Sequence, residues 1–250
     1  NYAVWTLGLS EGTQVARAAA GTESIASFSA TATALHVVQA TVGENYACAI
    51  LTDQRPVCWG DNRYGQLGVG DQLSRATPTA LEGLGAALQI VASPNYHTCA
   101  RDLAGDVWCW GAGWGSQTGS LAAVLQVTPV RVPGAQGATT LDLGYLFSCA
   151  ILAAGGARCW GSNDGGVLGA GLSLIGGSNY PAPQVVVGGD DFVSLGLDGD
   201  RACALDSEGE AWCWGRAVGG ELSPYPAGLY NTPVQPIPGY KFSQVKLNGY

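Results

Sequence analysis

Short runs that alternate apolar and polar residues recur along the chain: "LQIVAS" at 88–93, "TTLDLG" at 139–144, "FVSLGL" at 192–197 and "FSQVKL" at 242–247. Side chains of an extended strand point alternately to its two faces, so a period of two marks a half-buried β-strand. The units share a grammar. A second run carrying "CAI", "CAL" or "CAR" leads into a short polar turn such as "TDQRP", "LAGD" or "DSEGE", and a third run ends in Cys-Trp-Gly. Two runs broken by Asp, Gly and Pro predict an antiparallel hairpin. A Gly-rich loop follows, "DNRYGQLGVGD" in the first full unit, and then a Pro-marked extended segment such as "RATPTALEG", "QVTPVRVPG" or "YNTPVQPIPG". Proline cannot donate to a central ladder, which places that segment at the outer edge of its sheet. No stretch sustains helical periodicity with caps.

The anchor of each unit is a cysteine pair ten residues apart: Cys48 and Cys58, Cys99 and Cys109, Cys149 and Cys159, Cys203 and Cys213. Successive pairs are offset by 51, 50 and 54 residues, and Trp59, Trp110, Trp160 and Trp214 follow the second cysteine of each. A fixed period of this length with four short strands per unit predicts an all-β fold, a β-propeller of four-stranded antiparallel blades.

The units resemble the repeats of the regulator of chromosome condensation family. The resemblance rests on the "CAI" of Cys48 to Ile50, the "VCWG" of Val57 to Gly60 and the "NRYGQLG" of Asn62 to Gly68, and it covers nearly the whole chain. It implies a propeller and leaves the function open, because one scaffold serves unrelated roles. The chain ends on "FSQVKLNGY", which reads as an opening strand, and begins with "NYAVWTLGLSEGTQVARA", which reads as the rest of that unit. Pairing of the two termini in one blade predicts a single domain over 1–250 with five blades, against seven if the chain is a fragment. Val4 takes the place of the first cysteine there, so this blade has no staple.

Zinc ligands are typically two to four residues apart and accompanied by histidines, and the chain has only His36 and His97. No Cys-X-X-Cys occurs. In a hairpin centred near residue 53, Cys48 and Cys58 become cross-strand neighbours at a Cα separation of about 4.5–5.5 Å, within reach of a disulfide. Four structural disulfides, each closing a short loop, place the protein in an oxidising compartment: extracellular, periplasmic or on a cell surface. The four Trp-Gly tryptophans read as packing between blades, whereas Trp114, in the loop "GAGWGSQTG", reads as exposed.

Composition narrows the remaining choices. With 47% hydrophobic residues the chain can bury a core, and its 38 glycines and 12 prolines fit many tight turns. A net charge of -8 supplies no basic patch for phosphates, which argues against nucleic acid. No uninterrupted apolar window of membrane-spanning length occurs, which argues against membrane insertion. Methionine is absent even from position 1, so the start codon and any signal sequence are expected upstream. No GxSxG, HExxH or phosphate-loop motif appears, and the acidic residues, Asp190, Asp191, Asp198 and Asp200 among them, read as solvated turns. The expectation is a non-catalytic protein with no cofactor and no metal.

Two groups of residues are candidates for binding. The position two before each first cysteine holds Tyr46, His97, Phe147 and Arg201, with Tyr2 as its counterpart in the closing blade. A position that recurs while its side chain varies suits a contact surface, and the family resemblance places it as a ring at one mouth of the central channel; the competing reading is a plug in that channel. The second group is the loop aromatics Tyr64, Trp114, Tyr180, Tyr225 and Tyr230, suited to sugar stacking or protein contact unless they fold back over the rim. The reading is a binding module or a subunit of an extracellular assembly, with a protein or a glycan as partner. Its rivals are an inhibitor of an extracellular enzyme, as propellers similar to this family that cap β-lactamase imply, and a lectin. The family's exchange activity on a small GTPase is disfavoured by the acidic charge and the disulfides.

Overall fold

A computed structural model of the chain describes residues 12–20, 23–32, 36–120, 124–174, 178–219, 222 and 224–247. The chain divides into two compact units, residues 1–37 and 38–250. In the first, β1 (Gly12–Ala20) and β2 (Glu23–Ala32) pair antiparallel from Gly12↔Ala32 to Ala20↔Glu23, with a register slip at Ala18/Ala19.

The second unit repeats one sheet four times. The first sheet orders β3 (Val37–Gly43), β4 (Tyr46–Leu51), β5 (Pro56–Gly60) and β6 (Arg75–Ala80) in sequence. The second is β7 (Gln89–Ala92), β8 (His97–Arg101), β9 (Val107–Ala112) and β10 (Leu125–Arg131). The third is β11 (Ala138–Leu143), β12 (Phe147–Leu152), β13 (Ala157–Ser162) and β14 (Asn179–Val185). The fourth is β15 (Phe192–Asp198), β16 (Arg201–Asp206), β17 (Ala211–Ala217) and β18 (Gly228–Val234). These are propeller blades, and each Pro-marked segment is the fourth strand of its sheet. Ladder pairing breaks at each proline segment, as between Gln126 and Val130 around Pro129, because that residue has no N–H to give.

Four disulfides join the directly opposed pairs Cys48–Cys58, Cys99–Cys109, Cys149–Cys159 and Cys203–Cys213, at Cα separations of 4.0–4.1 Å. The glycine after each Trp is required by the backbone. Gly60, Gly111, Gly161 and Gly215 have φ between 94° and 114°, and a Cβ there would lie 2.3–2.5 Å from a carbonyl oxygen of Asn45, Tyr96, Leu146 or Asp200. Those carbonyls belong to the turn between the first and second strands and accept the N–H of residue 61, 112, 162 or 216. The turn and the long loop are thereby tied together at one end of each sheet.

Neighbouring sheets meet through a recurrent latch. Trp110 Nε1 donates to Gln66 O at 2.8 Å, Trp160 Nε1 to Gln117 O at 2.9 Å and Trp214 Nε1 to Val167 O at 2.8 Å, each indole fully buried. Trp59, the first of the series, is half-buried. The innermost strands lie side by side without a backbone ladder, and side chains bridge them. Gln39 exchanges two hydrogen bonds with the Ile90 backbone and Gln89 two with that of Leu141.

One predicted strand does not form among the described residues. Residues 242–247 form no described strand, although their backbone runs against Gly196 of β15, where a Cβ would meet Val245 O at 3.2 Å. A strand needs a ladder partner, and the described residues place none beside this segment. The predicted closure of a blade by the two termini involves residues 1–11 and 248–250, which lie outside the described residues, as does Tyr2.

Candidate functional site

Among the described residues, the recurrent position ahead of the cysteines is largely buried. Tyr46, His97 and Phe147 are 4%, 0% and 1% exposed. They sit between adjacent sheets, and Arg201 is half-buried. Tyr46 Oη lies 2.8 Å from His97 O and 3.2 Å from Ser93 O, and Thr98 Oγ1 lies 3.1 Å from Tyr46 Oη and 2.9 Å from Gln66 O. Burial holds this phenol well above its ordinary pKa. One sheet further on, His97 Nε2 lies 3.2 Å from Ser148 Oγ, which donates to Gln117 O at 3.0 Å. The serine proton is committed to that carbonyl, so the imidazole donates from Nε2 and its Nδ1 has no partner among the described residues. Desolvation pushes the His97 pKa down to about 3, and the ring is neutral. At the third seam Phe147 shares an apolar cluster with Ala202, Phe192 and Trp214, the last two stacked at 6.0 Å. The side chain at this position therefore varies with its neighbour: hydroxyl-bearing Thr98 and Ser148 face Tyr46 and His97, while Ala202 shares the cluster of Phe147.

The exposed positions lie one or two residues earlier, on the turn itself. Tyr145 is 50% exposed and Tyr96 half-buried. Tyr96 has φ 62°, an uncommon backbone for a bulky aromatic, held by the Ala112 N–H on its carbonyl. Its ring packs on Tyr64 at 4.7 Å between centroids, and Tyr64 meets Trp114 edge-on at 5.0 Å. Arg63, paired with Asp61 at 3.0 Å, lies 5.9 Å from the Tyr64 ring. Glu44 accepts a hydrogen bond from the Tyr96 phenol, which raises that pKa. Trp114 remains 43% exposed. Loops of the first two sheets thus build one aromatic platform with a cation and two carboxylates beside it.

The other loop aromatics do not join it. Tyr225 and Tyr230 pair edge-on at 5.8 Å over the cluster around Cys203 and Cys213, and Tyr230 Oη donates to Pro226 O. Tyr180 packs against the third sheet's cluster. Tyr96 was not singled out by the repeat pattern, although its equivalence to Asn45 in the preceding turn was readable. Among the described residues no three His, Cys, Asp or Glu side chains group as metal ligands would, and no helix is long and apolar enough to cross a membrane.

The architecture defines a class, a β-propeller built from disulfide-stapled four-stranded blades that presents its long loops at one end. Within that class, residues 58–101 and 37–66 match the regulator of chromosome condensation (RCC1) repeat. It is 27% identical over 202 residues to the ultraviolet-B receptor UVR8 of Arabidopsis thaliana, covering 78% of this chain and 45% of the receptor. It is 27% identical over 205 residues to the human probable E3 ubiquitin-protein ligase HERC6, covering 80% of this chain and 20% of the ligase. The chain therefore spans less than half the length of either relative. Among solved structures, Prp20p of Saccharomyces cerevisiae matches with a TM-score of 0.74 at 19% identity, over 85% of this chain and 54% of that one. Human WBSCR16 matches with a TM-score of 0.71 at 18% identity, over 92% and 61%. At these identities the structural likeness establishes the fold.

Proposed function

We propose that the chain is a non-catalytic protein-binding propeller of an oxidising compartment, extracellular, periplasmic or on a cell surface, whose contact surface is the platform of Tyr64, Tyr96 and Trp114. The observation that carries the reading is the exposed Trp114, supported edge-on by Tyr64, with Arg63 beside the Tyr64 ring and Glu44 hydrogen-bonded to Tyr96. Aromatic anchors beside charged groups are the residue types that dominate protein interfaces. Among the described residues this platform forms once, which suits one protein partner better than a lectin with an equivalent site in each blade. An inhibitor of an extracellular enzyme would use the same single face. Prp20p is described with binding to Gsp1p and histones, so protein recognition has a precedent on this scaffold. Four cysteine pairs, six of the eight residues fully buried, suit a compartment where disulfides persist.

The test is capture of a partner from the source's extracellular fraction by the intact chain, set against Tyr64→Ala/Trp114→Ala and against Leu103→Ala on the turn at the opposite end. Loss of the captured protein with the first variant and its retention with the second is the expected result. Equal capture by all three would remove the platform from the account.

A further inference from the structure

The innermost strands β3, β7, β11 and β15, with residues 244–247, line two adjoining chambers, both open to solvent, that the loop-end platform does not use. The larger, about 840 Å³, is walled by Val42, Val91, Leu143 and Leu197, and Tyr145 and Arg201 also line it. The smaller, about 330 Å³, is more polar and is lined by Gln89, Thr140, Ser194 and Lys246. Val91, Asp142, Leu197 and Leu247 line both, which places Asp142 at the waist between them. Asp198, 9% exposed, lines the larger chamber beside Asp142.

Such an arrangement is costly to the fold. Two carboxylates facing one cavity repel each other unless a cation comes between them. Asp142 accepts N–H donors from Leu143 and Leu197, yet burial and the nearby Asp198 outweigh them and raise its pKa to about 6. Lys246 partly offsets this. The volume is that of a small-molecule site, and apolar walls with a few converging polar groups are what such sites present. Two carboxylates fall well short of the six or more oxygens a calcium ion takes, while the aliphatic walls favour an organic body.

We propose that the larger chamber binds a small organic cation, an amine whose ammonium group faces Asp142 and Asp198 while its apolar body lies against Val42, Val91, Leu143 and Leu197. Tyr145 stands at the loop end, the side from which a ligand enters. This site is independent of the aromatic platform, so either can fail without the other.

The probe is phenethylamine, with phenethyl alcohol as its uncharged counterpart, titrated by calorimetry into the intact chain. The amine is expected to bind about tenfold or more tightly than the alcohol, the ratio that one charge-assisted contact supplies. Asp198→Asn is expected to bring the amine down to the alcohol's affinity with circular dichroism unchanged, and Trp114→Ala to leave amine binding intact. Equal affinities, no binding by either compound, or full amine affinity in a folded Asp198→Asn chain would each overturn the proposal. Should that variant misfold, the amine-to-alcohol ratio in the unaltered chain decides.

Discussion

The seam between the first and second sheets and the seam between the third and fourth share one frame and differ in chemistry. Both carry an indole latched to a loop carbonyl, Trp110 on Gln66 and Trp214 on Val167. Beside the latch, the first seam places a phenol, a threonine hydroxyl and three carbonyls in one buried hydrogen-bonded group, whereas the third fills the same place with Phe147 and Ala202. Polar residues face polar and apolar face apolar, so exchanging neighbours would bury an unpaired hydroxyl. That penalty, about 1–3 kcal/mol per group, makes the sheets non-interchangeable although their folds are alike. Variation between repeats here specifies order within the chain.

The largest effect should fall on what the two seams share. Trp160→Ala and Trp214→Ala each remove a fully buried indole and should lower stability in urea by about 3–5 kcal/mol, while Trp59→Ala, at the half-buried position, should cost clearly less. Equal losses at all three would deny the latch its role.

Acid should separate the seams next. The unfolded chain takes a proton on histidine near pH 6.5 whereas His97 in the fold resists until about pH 3. The second seam therefore keeps its full stability above pH 6.5 and loses stability progressively as pH falls from there towards 3. His97→Phe combined with Ser148→Ala copies the third seam and should flatten that part of the urea-midpoint-versus-pH curve. An unchanged acid slope would mean that other groups carry it.

Converting single groups gives the smaller effects. Phe147→Tyr sets a phenol among apolar neighbours and should cost about 1–3 kcal/mol, partly recovered by Ala202→Ser. Tyr46→Phe leaves Thr98 bonded to Gln66 O and should cost about 1 kcal/mol. Were Tyr46→Phe the more damaging of the two, the matching of seam partners would be wrong.

Much of this architecture was legible because its signals are local and repeated. Period-two runs, prolines on the fourth strand and cysteines ten apart depend on neighbours within one hairpin. At the recurrent position Tyr46, His97 and Phe147 are buried, a burial that depends on neighbouring sheets and not on the pattern within one repeat. Tyr46 and His97 point into seams whose partners lie about fifty residues on, beyond any one hairpin. Of the loop aromatics, Tyr64 and Trp114 come together because the loop of one sheet reaches the next, which no single repeat reveals. Asp142 and Asp198 look like ordinary acidic residues until the inner strands are brought side by side around a cavity.

The adjacent residues Tyr96 and His97 put the whole account to one test, in which thermal midpoint and partner capture per folded molecule are measured for Tyr96→Ala and His97→Ala. The account predicts that Tyr96→Ala loses capture with little change in midpoint, and that His97→Ala lowers the midpoint while folded molecules still capture. The reverse pattern, a lost partner with His97→Ala and a lost fold with Tyr96→Ala, would contradict the division between seam and surface.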